Sequence, residues 1–223
     1  MTKAELQEEL KEARESQRRL KRSLSLALMD LEVSFKKQLN FQDEVKPSNH
    51  AYDAIKRAKS EFELNVTEPG LGGDSSRINL YIKSSKGMGF SWLDDYTENG
   101  QSAWCGAFVA FCYTELKLSI RKKILPSCYR LYESWNNSGR RVNEISIGDI
   151  VTVFTNDSHS PKYGNHIVLA ISLIDENGEF ETLEGNAKGA GPNGDWREGV
   201  SKRTRNINNV ACIYRLKDCD FDE

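Results

Sequence analysis

The sequence predicts an α+β domain in which helices come first and a central antiparallel sheet follows, with one long helix ahead of the domain. The chain has no proline before Pro47 and no glycine before Gly70, although it contains five prolines and sixteen glycines in total. Helical apolar patterns extend to about residue 136, and short apolar runs separated by turn residues fill the remainder. Helices followed by strands favour α+β over a doubly wound fold.

Residues 1–45 are predicted to form one long amphipathic helix. Thr2 and Glu5 make a capping-box pattern, and apolar residues then alternate spacings of four and three over four heptads. Gln17 and Ser34 are poor members of that heptad row. Two interpretations stay open: a coiled coil or docking segment that forms an oligomer or binds a delivery or assembly partner, and a solvated helix packed on the domain that follows.

A second unit, residues 48–217, is predicted to hold the folded domain, and residues 218–223 an acidic tail. Pro47 ends the long helix, and Ser48 or Asn49 begins the next. Gly148 is expected to form a turn, and 175–178 (Asp-Glu-Asn-Gly) has hairpin chemistry. Further helices are predicted at 77–84, 104–116 and 126–136, and strands at 149–154, 166–174, 180–184, 200–205 and 210–216.

Composition excludes several functional classes. A net charge of −2 gives no electrostatic support for nucleic-acid binding, and no apolar run approaches the ~20 residues that span a bilayer. The charged first 22 residues do not form a signal peptide, which predicts synthesis in the cytoplasm. Five cysteines without Cys-x-x-Cys spacing argue against a disulfide framework or zinc site. We expect Cys112, Cys128 and Cys212 to be core residues and Cys219 a tail thiol.

Four residues have the chemical types of a cysteine-dependent amide hydrolase. Cys105 opens an amphipathic helix, where the helix dipole and free N–H groups lower a thiol pKa and can hold an oxyanion. His166 starts an apolar strand and is the expected general base, although an ordinary strand-edge histidine is the alternative. Glu184 and Asn186 are predicted to share one strand face, where one accepts the second imidazole N–H and the other orients the ring or substrate.

Other residues are weaker candidates for the site. Gln101 is an oxyanion donor candidate, and Trp104 and Trp196 are candidates for substrate binding. The segment 188–198, which contains Trp196 and Arg197, is interpreted either as a substrate-binding lip or as a plain mobile loop. Lys202, Arg203 and Arg205 either meet acidic groups of a substrate or form a solvated edge strand.

No metal or organic cofactor is expected. Asp94, Asp95 and Glu98 offer oxygen ligands that suit Ca²⁺, but their spacing is not that of a recognised calcium loop, so exposed loop acids are the commoner explanation.

Several motifs resemble the CHAP family of cysteine- and histidine-dependent amidohydrolases and peptidases, which belong to the papain-like group. The resemblance covers about residues 50–216 and is strongest in its bacterial and phage branch. Asn165 and Ile167 depart from the common pattern without removing a catalytic atom. The resembling segments are Trp-Cys-Gly-Ala-Phe-Val-Ala-Phe-Cys at 104–112, Gly-Asp-Ile-Val at 148–151, Gly-Asn-His-Ile-Val at 164–168, Leu-Glu-Gly-Asn at 183–186, and Gly199-Val200 with Arg203-Thr204-Arg205; Glu68-Pro69-Gly70 matches loosely.

The resemblance implies a papain-like fold and hydrolysis of amide bonds in bacterial peptidoglycan. It makes Cys105 the nucleophile, His166 the base and then the acid, Glu184 the residue that orients His166, and Asn186 the last member of the cluster. A phage lysin, a tail enzyme or an injected toxin would act at the cell wall after release or injection. The alternatives are a protease with a protein target and a non-catalytic adaptor that assembles through residues 1–45.

Overall fold

The computed structural model describes residues 49–68, 75–85, 103–113, 125–155, 161–217 and 220. The chain divides into two units, residues 1–46 and 47–223. The predicted helix 1–45 lies outside the described residues, so its coiled-coil, oligomer and partner interpretations remain predictions. Gln101, Cys219 and the acidic group of Asp94, Asp95 and Glu98 also lie outside them.

The predicted α+β architecture is confirmed for the described part of the chain. Four helices there precede the strands: α1 (Asn49–Glu63), α2 (Ser75–Ser84), α3 (Cys105–Cys112) and α4 (Cys128–Trp135). α1 buries Ala51, Ile55 and Ala58. α4 begins after Ser127, whose hydroxyl accepts the Arg130 N–H at 3.3 Å as an N-cap. None of the helices in these ranges has the length and apolarity to cross a bilayer.

Six antiparallel strands form one sheet in the order β1-β6-β2-β3-β4-β5. The last strand in the sequence therefore lies between β1 and β2, inside the sheet rather than at its edge. The adjacent strands β2 and β3 are buried along their whole length, which explains their continuous apolar sequences. The strands are β1 (Arg141–Val142), β2 (Ile150–Val153), β3 (His166–Ala170), β4 (Glu179–Ala190), β5 (Trp196–Asn206) and β6 (Val210–Tyr214).

The β4–β5 hairpin is much longer than the sequence predicts. The segment 188–198, interpreted as a lip or mobile loop, is mostly strand, because β4 continues to Ala190 and β5 begins at Trp196. Only a short turn at 191–195 connects them. Register shifts between Glu184 and Ala187 and around Ala190 accommodate the glycine-rich sequence. The short strand β1 is also absent from the prediction, since two residues give no periodic signal.

Close backbone approaches fix how the helices lie on the sheet. A Cβ at Gly106 would lie 2.6 Å from backbone atoms of Pro126, so only glycine lets the segment before α4 reach α3. The predicted Gly148 turn is confirmed, with φ at +90°, and a Cβ there would lie 2.6 Å from the Ala51 Cβ of α1. The predicted acidic tail is not wholly solvated: Asp220 is buried and accepts hydrogen bonds from Arg140.

The cysteine-bearing helix α3 is buried on all sides. Every one of its eight residues is buried, and it packs against α1, α2, β3 and β4. The Tyr81 ring of α2 lies 5.5 Å from the Phe108 ring and 4.8 Å from the Phe111 ring. A helix enclosed in this way has little freedom to shift, so its first residue is held in a fixed position relative to the sheet.

Candidate active site

Cys105 is the first residue of α3 and is only 7% exposed. The residue before it, Trp104, provides no side-chain cap for the helix. Backbone N–H groups of Ile167 and Gly106 donate to the sulfur and stabilise its thiolate form. The nucleophile candidate therefore combines the positive end of a helix with two N–H donors.

His166 begins β3 and faces both Cys105 and Glu184. Its Nε2 lies 3.0 Å from Oε2 of Glu184, and the ring lies close enough to the Cys105 thiol to lower the pKa of that thiol. Because Nε2 is engaged by the carboxylate, Nδ1 is the nitrogen left to exchange a proton with the thiol. The structure thus brings together Cys105, His166 and Glu184 in the order that nucleophilic catalysis requires.

Glu184 is completely buried and is held by two further side chains. Arg205 donates from Nε to Oε1 at 2.7 Å and from Nη2 to Oε2 at 2.5 Å. The Thr182 hydroxyl donates to Oε1 at 2.5 Å. The bidentate pair with Arg205 holds the Glu184 carboxylate, and that carboxylate in turn holds the His166 ring.

Arg205 has a role that its sequence pattern does not predict, since the pattern places it in a strand that meets substrate acids or faces solvent. Arg205 is 8% exposed, and its register partner on β4 is Phe180. Residues 180, 182 and 184 therefore share one sheet face with Arg205. Strand alternation could have placed Arg205 on that face, but only with knowledge of the β4–β5 register.

The electrostatics of the three groups favour a thiolate–imidazolium pair. Burial alone raises the pKa of Cys105, but the charge and hydrogen bond of His166 outweigh it and lower that pKa. Burial lowers the pKa of His166, whereas Cys105 and then Glu184 raise it to about 9. Burial raises the pKa of Glu184, but Arg205 and His166 hold it well below its usual range. Glu184 is therefore ionised when His166 carries its proton.

Cys112 and Cys128 have the opposite electrostatic character. Burial raises the pKa of Cys112, and the Glu61 carboxylate raises it further. Burial also raises the pKa of Cys128. Both thiols are therefore protonated at neutral pH. Cys112 and Cys212 are buried core residues, as expected, while Cys128 is only half-buried against the core.

Asn186 holds the start of α3 rather than the histidine. Its Oδ1 accepts the Trp104 backbone N–H at 3.1 Å, and its Nδ2 donates to Oε1 of Glu68 at 3.1 Å. The same Glu68 oxygen accepts the Trp104 indole N–H at 2.6 Å. We call Glu68, Trp104 and Asn186 the helix clamp. It connects the segment after α1, the residue before the nucleophile, and β4.

The expectation that Asn186 and Glu184 share one strand face is wrong. A register shift separates Glu184 from Ala187, and Asn186 has a left-handed φ of +55°. Simple alternation does not continue through such a bulge. The bulge directs Asn186 to Trp104. Gly185, which lies between Glu184 and Asn186 in the sequence, packs against α3, where a Cβ would be 2.5 Å from the Phe108 Cβ.

The two tryptophan candidates occupy very different environments. Trp104 is fully buried, so the prediction that it contacts substrate is wrong, because its ring fills the core and its indole N–H is used by Glu68. Trp196 is 70% exposed at the start of β5, with the Arg203 guanidinium 5.7 Å from its ring centroid. Trp196 thus remains available to a ligand, whereas Trp104 does not.

Comparisons with known proteins identify no relative of this chain. No family model matches it. No curated protein and no solved structure matches it either. The functional inference consequently depends on the side chains of the site and on the sequence motifs alone.

Proposed function

We propose that this protein is a cysteine amidohydrolase or endopeptidase that cleaves amide bonds of bacterial peptidoglycan. The observation that carries the proposal is the buried cluster in which His166 is hydrogen-bonded to Glu184 and lowers the pKa of the Cys105 thiol, with Arg205 holding Glu184. A structural role does not require a depressed thiol pKa beside a raised imidazole pKa. Opposed shifts of this kind are typical of residues that exchange protons during catalysis.

The proposed reaction begins when the Cys105 thiolate attacks the amide carbonyl carbon. The backbone N–H groups in the first turn of α3 have no partners within the helix and would stabilise the oxyanion. His166 donates its Nδ1 proton to the leaving amine, which gives a thioester and a neutral imidazole. The imidazole then takes a proton from water, the resulting hydroxide attacks the thioester, and the carboxylic acid leaves as the thiolate–imidazolium pair re-forms.

The choice of peptidoglycan as substrate rests on the motif resemblance to the CHAP family. Its segments include the sequences around Cys105, His166 and Glu184, and its members commonly cut the bacterial cell wall. The masses of the digestion products distinguish cleavage of the amide bond at the glycan from cleavage within the stem peptide. We also propose, on the same resemblance, that the protein acts at the wall after release or injection.

The direct test is digestion of purified peptidoglycan from both Gram classes, with released fragments identified by mass spectrometry. We expect new amine and carboxyl ends with the wild-type protein and none with Cys105→Ala. Cys112→Ala serves as the control, because it also removes one buried thiol from α3 but leaves the pair with His166 intact.

Three results would contradict the proposal. Equal fragment release by the wild type and Cys105→Ala would exclude Cys105 as the nucleophile. No release from either wall, together with Cys105-dependent cleavage of a protein or peptide panel, would replace peptidoglycan by a protein target. No Cys105-dependent cleavage of any substrate would favour the adaptor interpretation.

A further inference from the structure

The β4–β5 hairpin contains a buried cation without a partner. Arg197 is 7% exposed, and none of its three guanidinium nitrogens has a hydrogen-bond partner in the described part of the chain. Buried guanidinium groups are ordinarily paired, because an unpaired buried charge is costly. The arginine therefore offers a full set of donors to an anion that the hairpin itself does not supply.

The hairpin is shaped to hold this guanidinium. A Cβ at Gly191 would lie 2.4 Å from Nε and 2.6 Å from Cζ of Arg197, so the group rests directly on the backbone of the 191–195 turn. Asp195, the exposed acidic residue of that turn, has its Oδ1 2.6 Å from the same Cβ position, yet it makes no hydrogen bond with Arg197. Glycine at position 191 thus leaves room for the guanidinium beside a carboxylate to which it is not hydrogen-bonded.

Other cations of the hairpin differ because each has a partner. The buried Arg205 pairs with Glu184, and the more exposed cations contact acids or an aromatic ring, which leaves Arg197 as the distinct case among them. The contacts are Lys188 with Glu198 at 3.4 Å, Lys202 with Glu181 at 2.5 Å, and Arg203 with the Trp196 ring centroid at 5.7 Å.

Arg197 lies on the same hairpin that holds the nucleophile in place. Its register partner is Gly189, three residues beyond Asn186, and Asn186 accepts the N–H of the residue before Cys105. At roughly 3.3 Å per strand residue, Gly189 is about 10 Å along β4 from Asn186. A substrate of three or four extended residues can therefore reach from the thiolate to Arg197.

We propose that Arg197 binds a carboxylate group of the substrate peptide, at a subsite a few residues from the bond that is cut. The proposal rests on the proposed function, in which the substrate is peptidoglycan. The stem peptides of peptidoglycan carry free carboxylates. A planar guanidinium forms two parallel hydrogen bonds with a carboxylate, and a carboxamide cannot accept both of them in place of the carboxylate. The exposed Trp196 ring at the same end of β5 provides an apolar surface beside the subsite.

The test measures binding to the full-length Cys105→Ala protein, which cannot turn the ligand over. The probes are a wall-derived stem tetrapeptide and the same peptide with its carboxylates converted to carboxamides, titrated by calorimetry. We expect the carboxamide to bind about tenfold to a hundredfold more weakly, the range for hydrogen bonds to charged groups. Equal affinity for the two peptides, or binding of neither, would overturn the proposal.

Variants then assign the preference to Arg197. Arg197→Gln, added to Cys105→Ala, is expected to abolish the preference for the carboxylate, and Lys188→Gln is expected to keep it. Lys188 is the appropriate control because it is a cation of the same hairpin that is exposed and already paired. Arg197→Lys retains the charge without the planar fork and should retain only part of the preference. A preference that survives Arg197→Gln in folded protein would overturn the assignment. The comparison of the two peptides on the Cys105→Ala protein does not depend on the folding of any hairpin variant.

The outcomes separate this proposal from the proposed function. Wall digestion with equal binding of the two peptides would support the hydrolase and exclude the carboxylate subsite. An Arg197-dependent preference without any wall digestion would support the subsite and exclude peptidoglycan as the substrate.

Discussion

The reactivity of Cys105 is a property of its neighbours rather than of the thiol alone. Cys105 and Cys112 lie on the same helix and are both buried, yet the pKa of the first is lowered and that of the second is raised. The difference comes from His166, which faces only the first of them. A short distance along one helix therefore separates the proposed nucleophile from a packing residue.

Selective alkylation should reveal that difference. At neutral pH we expect iodoacetamide to label Cys105 before Cys112 and Cys128, because its thiol pKa is lowered whereas theirs are raised. His166→Ala should shift the pH dependence of Cys105 labelling to higher pH, since the imidazolium that lowers its pKa is lost. Peptide mapping by mass spectrometry after timed labelling measures both effects, with His50→Ala as the control. Faster labelling of Cys112, or an unchanged profile in His166→Ala, would contradict the assignment.

The pH dependence of activity should follow the same pair. The reactive thiolate–imidazolium form exists above the lowered pKa of Cys105 and below the pKa of His166 at about 9, so kcat/KM should be bell-shaped with its alkaline limb near that value. Glu184→Gln removes a negative charge that raises the His166 pKa. The alkaline limb should then move to lower pH, and kcat should fall by a factor on the order of 10²–10⁴.

Glu181→Gln is the control for that change, because Glu181 lies on the same strand but is exposed and pairs with Lys202. An alkaline limb that stays in place in Glu184→Gln would show that Glu184 does not set the protonation of His166. Circular dichroism should accompany the assay, since Glu184→Gln also leaves Arg205 without its carboxylate partner.

Residue types and their order along the chain were enough to name two of the three central residues. The chain has only three histidines, and only one starts an apolar strand, so Cys105 and His166 were candidates from residue types alone. Residue types left open whether Glu184 or Asn186 contacts the imidazole, and the motif resemblance favoured Glu184. Arg205 could not be identified in this way. Its role depends on the register of β4 against β5, which local sequence does not encode when a bulge intervenes.

At the scale of elements, the helix clamp determines where α3 begins. Three side chains from separate parts of the chain meet there, so the first turn of α3 is positioned by β4 and by the segment after α1. The sequence predicted these elements but not the hydrogen bonds that join them. A left-handed asparagine inside a strand gives no pattern from which such a contact can be recognised.

Removing the clamp should affect catalysis and stability together. Asn186→Gly keeps the left-handed backbone accessible but removes both side-chain hydrogen bonds, so we expect a stability loss of about 1 kcal/mol, as for a lost helix cap. The kcat value should fall more than KM changes, because the position of the thiolate is altered. Asn193→Gly, in the exposed hairpin turn, is the control. Unchanged kcat in Asn186→Gly would show that the clamp does not position Cys105.

Close packing between α3 and β4 should make Gly185 intolerant of a side chain. A Cβ there would lie 2.5 Å from the Phe108 Cβ and 2.6 Å from Cζ3 of Trp104. Gly185→Ala is therefore expected to lower the free energy of unfolding by about 1–3 kcal/mol, the cost of overpacking a filled core. Urea unfolding measures the change, and Lys188→Ala on the same strand should have little effect. Equal stability of the wild type and Gly185→Ala would contradict the described packing.

At the scale of the whole molecule, the hydrogen bonds described around Cys105 all come from residues 68–205. We therefore expect residues 47–223, prepared without the first unit, to retain selective alkylation of Cys105. The heptad pattern predicts that the full chain is an oligomer and the shorter protein a monomer. Sedimentation or light scattering measures the masses. Monomers in both cases would favour the solvated helix packed on its own domain.

The position of β6 within the sheet has a consequence for folding. Since β6 follows the other five strands along the chain yet lies between β1 and β2, the sheet that carries His166, Glu184 and Arg205 cannot be completed by adding strands in chain order. Its completion requires the long loop between β2 and β6 to close, and we therefore expect this pairing of distant residues to slow folding.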